Sequence, residues 1–160
     1  MNGRRVHEAY PVNPKYKYIG VTSCWPSLSE VPAKIDLAVF ATPSSKIEGL
    51  LKECKKLAIP NVLITPGDEE LTADRRWRER IAQMAREAGI RLIGPDSMGI
   101  MRPSIGLNVS YWPHLAQTGS IGLLCQSGAV TAAVLEYADR SGIGFSTVIS
   151  SGLESEVSLA

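Results

Sequence analysis

Short apolar runs bounded by turn residues organise the chain. They span residues 35–41, 61–65, 90–93 and 119–125, and another begins at 144–150. Continuous apolar runs of this length, closed by glycine or proline, predict buried parallel strands rather than half-exposed ones. Between them the apolar period changes to that of a helix. Ile47, Leu50, Leu51, Cys54, Leu57 and Ala58 keep one helical face, and Pro60 closes it. Thr42 and Pro43 read as its N-cap and first helical position, because proline there gives up no needed hydrogen bond. A second helix over 72–88 turns Trp77, Ile81, Met84, Ala85 and Ala88 inward and ends at Gly89. A third follows Ser127, with Val130, Val134, Tyr137 and Ala138 as its inner face. Residues 8–12 predict a further short strand, ending in Asn13-Pro14-Lys15. Residues 101–118, with Pro103, Pro113 and scattered glycines, read as an irregular connector and hence as a domain boundary.

Strands and helices alternating at this spacing predict an α/β fold with parallel sheets and right-handed crossovers. A mononucleotide-binding domain opens with strand, glycine turn and helix, whereas this chain enters at what reads as the second strand and ends one strand into a fresh unit. It therefore reads as an internal piece of a larger architecture. Open α/β sheets bind ligands at the carboxyl ends of their strands. Two such ends stand out, Arg91-Leu-Ile-Gly-Pro-Asp-Ser-Met-Gly-Ile100 and Gly119-Ser-Ile-Gly-Leu-Leu-Cys-Gln-Ser-Gly-Ala129, each emptying into a glycine-marked turn. Ser127 sits where an N-cap belongs, and the free amide groups beyond it suit a phosphate, a carboxylate or a developing oxyanion. The same residues would also serve a plain helix cap, with Gly128 permitting close packing.

Charge narrows the field. Seventeen lysines and arginines face sixteen aspartates and glutamates, a formal balance of +1, so nothing global argues for nucleic acid or an anionic membrane. The 44% apolar content supports a sizeable core. Cys24, Cys54 and Cys125 are odd in number and far apart, which excludes a disulfide framework and a zinc site and fits a reducing, cytoplasmic setting. No apolar run approaches the roughly 18 residues of a membrane span. Arg75, Arg76, Arg78, Arg80 and Arg86 are interleaved with Asp74, Glu79 and Glu87 and read as the solvated face of a helix.

Taken in order and spacing, Tyr10-Pro-Val-Asn-Pro-Lys15, Ile35-Asp-Leu-Ala-Val-Phe-Ala-Thr-Pro43, residues 91–100, Gly106-Leu-Asn108 and Leu124-Cys-Gln-Ser-Gly-Ala129 resemble the NDP-forming acyl-CoA synthetase superfamily. That superfamily includes the succinyl-CoA synthetase α subunit, ADP-forming acetyl-CoA synthetases, and lysine acetyltransferases carrying a synthetase-like region. The resemblance implies a Rossmann-like CoA-binding domain over residues 1–113, lacking its first strand-loop-helix. The start of a flavodoxin-like ligase domain would follow over 117–160. It implies CoA or acyl-CoA as the ligand, and a parent reaction in which acid, CoA and nucleoside triphosphate give acyl-CoA through an acyl phosphate. Carried over by position, Lys15 would approach the CoA phosphates. Thr42 and Pro43 would lie along the cofactor, and Ile64 and Thr65 beside its pantetheine arm. Gly94, Pro95, Asp96 and Ser97 would surround the thiol end, and Gln126, Ser127 and Gly128 would hold the acyl or phosphoryl group. Three positions depart from the pattern: Asp96 stands for the usual asparagine, Pro66 for the glutamate of the succinyl-CoA synthetase branch, and Cys125 for a common serine. Neither His7 nor His114 matches the family's phosphoryl carrier, so no catalytic residue is assigned. Nucleotide and magnesium would enter through other parts of the parent protein, with an ATP-grasp partner domain or a second copy of the chain as associate.

Two readings from other classes compete. One is a non-catalytic CoA-sensing or interaction module, whose exposed sheet edges invite pairing. The other is a small thiol hydrolase, with Cys125 as nucleophile near a helix N-terminus and His114 as base.

Overall fold

The computed structural model describes residues 8–158 except residue 68, so His7 lies outside the described residues. In chain order the elements are β1 (Tyr18–Ile19), β2 (Thr22–Ser23), β3 (Ala38–Phe40), α1 (Ile47–Lys56), β4 (Asn61–Ile64), α2 (Glu69–Ala73), α3 (Arg75–Glu87), β5 (Arg91–Ile93), β6 (Gly99–Arg102), β7 (Leu107–Ser110), β8 (Thr118–Cys125), α4 (Gly128–Ser141) and β9 (Phe145–Ser150). β1 and β2 form a small antiparallel hairpin.

The first sheet is parallel in the order β3-β4-β5, with Ala38 opposite Val62 and Val62 opposite Leu92. Its core is the expected one. Phe40, Leu51, Trp77, Ile81 and Leu92 are buried together, with α1 and α3 supplying the helical layer. Cys54 is fully buried in that layer, and desolvation, helped by the charge of Glu53, pushes its thiol up to about 11. Two of the arginines of α3 pair at the surface, Arg75 with Glu79 and Arg80 with Glu48, each at 2.7 Å.

Three local expectations change. Residues 8–12 form no strand, and Val12 makes one parallel bridge to Trp25. Pro11 and Pro14 lack the amide hydrogens a ladder needs. The chain enters α1 through a 3₁₀ turn, Ser44–Lys46, whose N-cap is Pro43, with the Pro43 carbonyl accepting from the Lys46 amide at 2.9 Å. The expected cap at Thr42 therefore moves one residue on. The helix expected over 72–88 is two helices, because Asp74 adopts extended backbone and its carboxylate caps the Arg76 amide at 2.9 Å.

The second sheet is mixed rather than parallel, in the order β7-β6-β9-β8. β8 and β9 run parallel, while β6 is antiparallel to both β7 and β9. The stretch expected to be an irregular connector thus contains a β-hairpin, and Pro103 sits in its turn, where Gly106 takes a left-handed conformation with φ +73°. On α4 the inner face is Thr131, Leu135 and Ala138, whereas Val130 and Tyr137 are exposed. The helix carries a second apolar stripe, and Thr131 hides its polarity by donating its hydroxyl to the Ser127 carbonyl at 2.8 Å. β8 is an edge strand with Ile121 and Leu124 exposed.

A seam joins the two sheets. Beyond β9 the chain folds back along β5. Leu153, Ser155 and Val157 amides donate to the carbonyls of Pro95, Gly94 and Leu92 at 2.8, 3.2 and 3.2 Å. The Leu92 amide donates to the Glu156 carboxylate at 2.9 Å.

In the folded chain, iodoacetamide at pH 8 is expected to label the half-exposed Cys24 and Cys125 and to leave Cys54 untouched until the chain is unfolded. Equal labelling rates would show that α1 does not pack as described. A second test is Gly94→Ala, since a Cβ there would stand 2.3 Å from the Ile64 carbonyl oxygen at φ +97°. The variant should lose at least about 2 kcal/mol in denaturant unfolding; a neutral effect would mean that the turn sits elsewhere.

Candidate functional site

The carboxyl ends of β4, β5, β8 and β9 converge on one cleft of about 590 Å³. Each contributes a turn whose geometry follows from its residues. After β5, the Ser97 amide donates to the Ile64 carbonyl at 3.2 Å, which presses the 94–97 turn against the end of β4. Asp96 adopts the left-handed conformation at φ +59°, a region that asparagine and aspartate enter more readily than other side chains. An asparagine-to-aspartate replacement thus keeps the turn while changing its charge. Ser97 is buried, and its hydroxyl donates to the Ser150 carbonyl while accepting from the Gly99 amide at 3.0 Å. Its side chain ties the two sheets together and does not line the cleft.

After β8, Ser127 caps α4, its hydroxyl accepting from the Val130 amide at 3.3 Å. Gly128 brings the helix beside Met98: a Cβ there would meet the Met98 Cβ at 3.1 Å. The Gln126 carbonyl accepts from the Gly152 amide at 3.2 Å, which fixes the turn after β9 against this helix N-terminus.

Of the residues singled out from sequence, Asp96, Gln126, Ser127 and Gly128 line this cleft together. Gly94, Pro95 and Ile64 are buried and outside the lining. Thr65 is 8% exposed and reaches the cleft wall through Tyr111, whose phenol donates to the Thr65 hydroxyl at 3.3 Å. Thr42, Pro43 and Lys15 stand outside the lining. Lys15 is exposed just past a turn that Asn13 builds by accepting from the Lys15 and Tyr16 amides at 2.9 and 3.3 Å. The turns after β3 and β4 lie close, since a Cβ on Gly67 would be 3.2 Å from the Ser44 hydroxyl and 3.6 Å from the Thr42 carbonyl.

Sequence reasoning missed Pro66, Met98, Tyr111, Gly152 and Leu153, all of which line the cleft. Gly152 and Leu153 directly follow an apolar strand, the same signal that marked the other turns. Tyr111 carries no such local signal. Asp96 is the one charged group in the lining and makes no hydrogen bond or ion pair among the described residues. The residues at the start of α4, Ser127, Gly128 and Ala129, share this lining, so the cleft brings helix N-terminal amides and a carboxylate together. Cys125 donates its thiol to the Ser127 carbonyl at 3.5 Å, and no hydrogen bond joins it to His114 among the described residues. His114 is exposed, and its carbonyl accepts from the Asn108 side chain at 3.3 Å.

Residues 2–103 match the family model described as CoA binding domain, and residues 118–160 match the succinyl-CoA ligase like flavodoxin domain. The chain is 34% identical over 145 residues to acetate–CoA ligase (ADP-forming) I of Archaeoglobus fulgidus, covering 89% of this chain and 21% of that one. To acetate–CoA ligase (ADP-forming) of Methanocaldococcus jannaschii it is 36% identical over 149 residues, covering 92% of this chain and again 21% of the relative. Among solved structures, the apo dinucleotide forming acetyl-coenzyme A synthetase 1 of Ca. Korarchaeum cryptofilum matches with a TM-score of 0.86 at 28% identity, over 93% of this chain and 32% of that one. The chain thus spans about a fifth of the length of these curated relatives. Because the CoA-binding match runs over residues 2–103 and the strand-end turns of that region build one wall of the cleft, the chain belongs to the CoA-binding domain family of NDP-forming acyl-CoA synthetases, and its residues 118–160 match the succinyl-CoA ligase like flavodoxin domain.

Proposed function

We propose that the chain binds CoA or acyl-CoA along the carboxyl edge of its first sheet, as the CoA-handling region of an ADP-forming type of acyl-CoA synthetase. The observation that carries this reading is the meeting of four strand-end turns, from both matched regions, in one cleft. Lys15 supplies a mobile point charge for the CoA phosphates. Thr42 and Pro43 border the cofactor where the chain enters α1, and Ile64 and Thr65 flank the pantetheine arm. The turn of Gly94, Pro95 and Asp96, braced from inside by Ser97, receives the thiol end. Gln126, Ser127 and Gly128 present the amides of α4 to an acyl or phosphoryl group. CoA supplies the thiol that accepts the acyl group; the chain's own residues bind and orient it.

On this reading residues 1–113 form the CoA-binding unit and 117–160 belong to the ligase-like unit, and the 99–110 hairpin lends two strands to the sheet they share. A related solved synthetase is in complex with phosphate and ADP. We assign nucleotide and magnesium to other parts of a parent protein, met through an ATP-grasp domain or a second copy of this chain. A cytoplasmic setting fits the spacing of the cysteines, and no helix among the described residues is long and apolar enough to cross a membrane. Of the chain's two histidines, His7 lies outside the described residues and His114 is not in the cleft lining, so binding rather than phosphoryl transfer is the role assigned here.

Calorimetric titration of the 160-residue chain with CoA, using NAD and ADP as controls, is expected to show saturable binding of CoA alone. A folded chain that ignores CoA would overturn the reading. Lys15→Ala should weaken CoA binding by about tenfold, the scale of one charge-assisted contact, and less at high salt. Asp96→Asn keeps the left-handed turn and removes the cleft's carboxylate, so CoA affinity should rise by about two- to fivefold, the range of an exposed charge interaction.

A further inference from the structure

Residues 104–117 fall between the two matched regions, yet they supply one wall of the cleft. That wall is Tyr111. Its amide donates to the Met98 carbonyl at 3.0 Å, and its phenol donates to the Thr65 hydroxyl at 3.3 Å. Thr65 in turn donates to the Phe40 carbonyl at 3.0 Å, so the tether reaches the backbone of the first sheet. The residue is held by its backbone at one end and its phenol at the other although 61% of it is exposed. Burial does not account for an aromatic ring fixed in that way, since most of its apolar surface still meets water.

Tyr111 therefore spans from the hairpin of the second sheet to β4 of the first. If the pantetheine arm passes Thr65 and the acyl group lies at the start of α4, the ring stands where the thioester must sit. Met98 and Leu153 add apolar surface to the same lining, which among the described residues carries the Asp96 carboxylate and no cation. Resting on the CoA reading above, we propose that Tyr111 is a specificity-determining residue: with Met98 and Leu153 it limits the size of the acyl group and selects small, uncharged ones. An acyl group ending in a second carboxylate would meet Asp96 with no cation to offset it.

The test is calorimetric titration of the whole chain and its Tyr111→Ala and Tyr111→Phe variants with CoA, acetyl-CoA, phenylacetyl-CoA and succinyl-CoA, with circular dichroism confirming each fold. The parent chain should prefer acetyl-CoA to both larger thioesters. Tyr111→Ala should raise the phenylacetyl-to-acetyl affinity ratio by about tenfold, the scale on which pockets discriminate by size, a larger change than in its affinity for free CoA. Tyr111→Phe keeps the ring but loses its tether to Thr65, so its ratio should fall between those of the parent and the alanine variant. Tyr111→Leu replaces the alanine variant if that one fails to fold. An unchanged ratio, or an equal shift for CoA and every thioester, would overturn the assignment while leaving the CoA reading intact. Succinyl-CoA binding as tightly as acetyl-CoA would overturn its charge component. Failure of the parent chain to bind CoA or any thioester would overturn the CoA reading, and this inference with it.

Discussion

Backbone touching backbone is the constraint on which this molecule depends. Gly94 lies against the Ile64 carbonyl and Gly152 against the Pro95 carbonyl; a Cβ at either position would come within 2.3 Å of that oxygen. Because these turns close to such distances, the Ser97 hydroxyl reaches across to the Ser150 carbonyl, and the Ser150 hydroxyl accepts the Met98 amide at 3.2 Å. The buried Ser97 and Ser150 hydroxyls are thereby satisfied, which is the condition for burying them at all. The cleft is what the same approach leaves open above the turns.

Much of this was legible along the chain. The parallel strands of the first sheet, the inward stripe of α3 and the Ser127 cap follow from short-range patterns: apolar run, helical period, hydroxyl before a helix. What escaped is set by partners far away in sequence. β6 is four residues long, with Gly99 and Met101 buried, Arg102 exposed and Pro103 next, and it becomes a strand because β9 lies beside it. On α4 the expected inner positions Val134 and Ala138 do pack against the core, but Val130 and Tyr137 are exposed and the stripe turns instead through Leu135 and Thr131, whose polarity disguises it. Asp74 shows the opposite limit: a single carboxylate capping an amide divides a helix whose apolar period runs on unbroken.

The cleft divides the same way. Strand ends announce Asp96 and Ser127, so their placement was readable. The inward turn of Ser97 was not, because its acceptor at Ser150 lies in another sheet. Tyr111 was invisible for the same reason: its partner Thr65 is 46 residues away. The aspartate that looked anomalous at residue 96 has a backbone explanation in its left-handed φ. Its negative charge is then a property the fold permits without requiring.

The mixed second sheet carries a consequence for how the molecule assembles. The three strands of the first sheet are complete once β5 has been made, but β6 and β7 must wait for β9, beyond α4. A two-stranded hairpin is marginal alone, and distant pairings form late because loop closure precedes their reward. On a chain emerging in sequence order, the first half can settle while the hairpin still lacks its third strand. The fold-back of residues 151–157 onto β5 comes last and finishes the cleft. A ligand held there would act on the final step of assembly, pulling finished molecules forward by mass action while leaving the formation of the first sheet untouched.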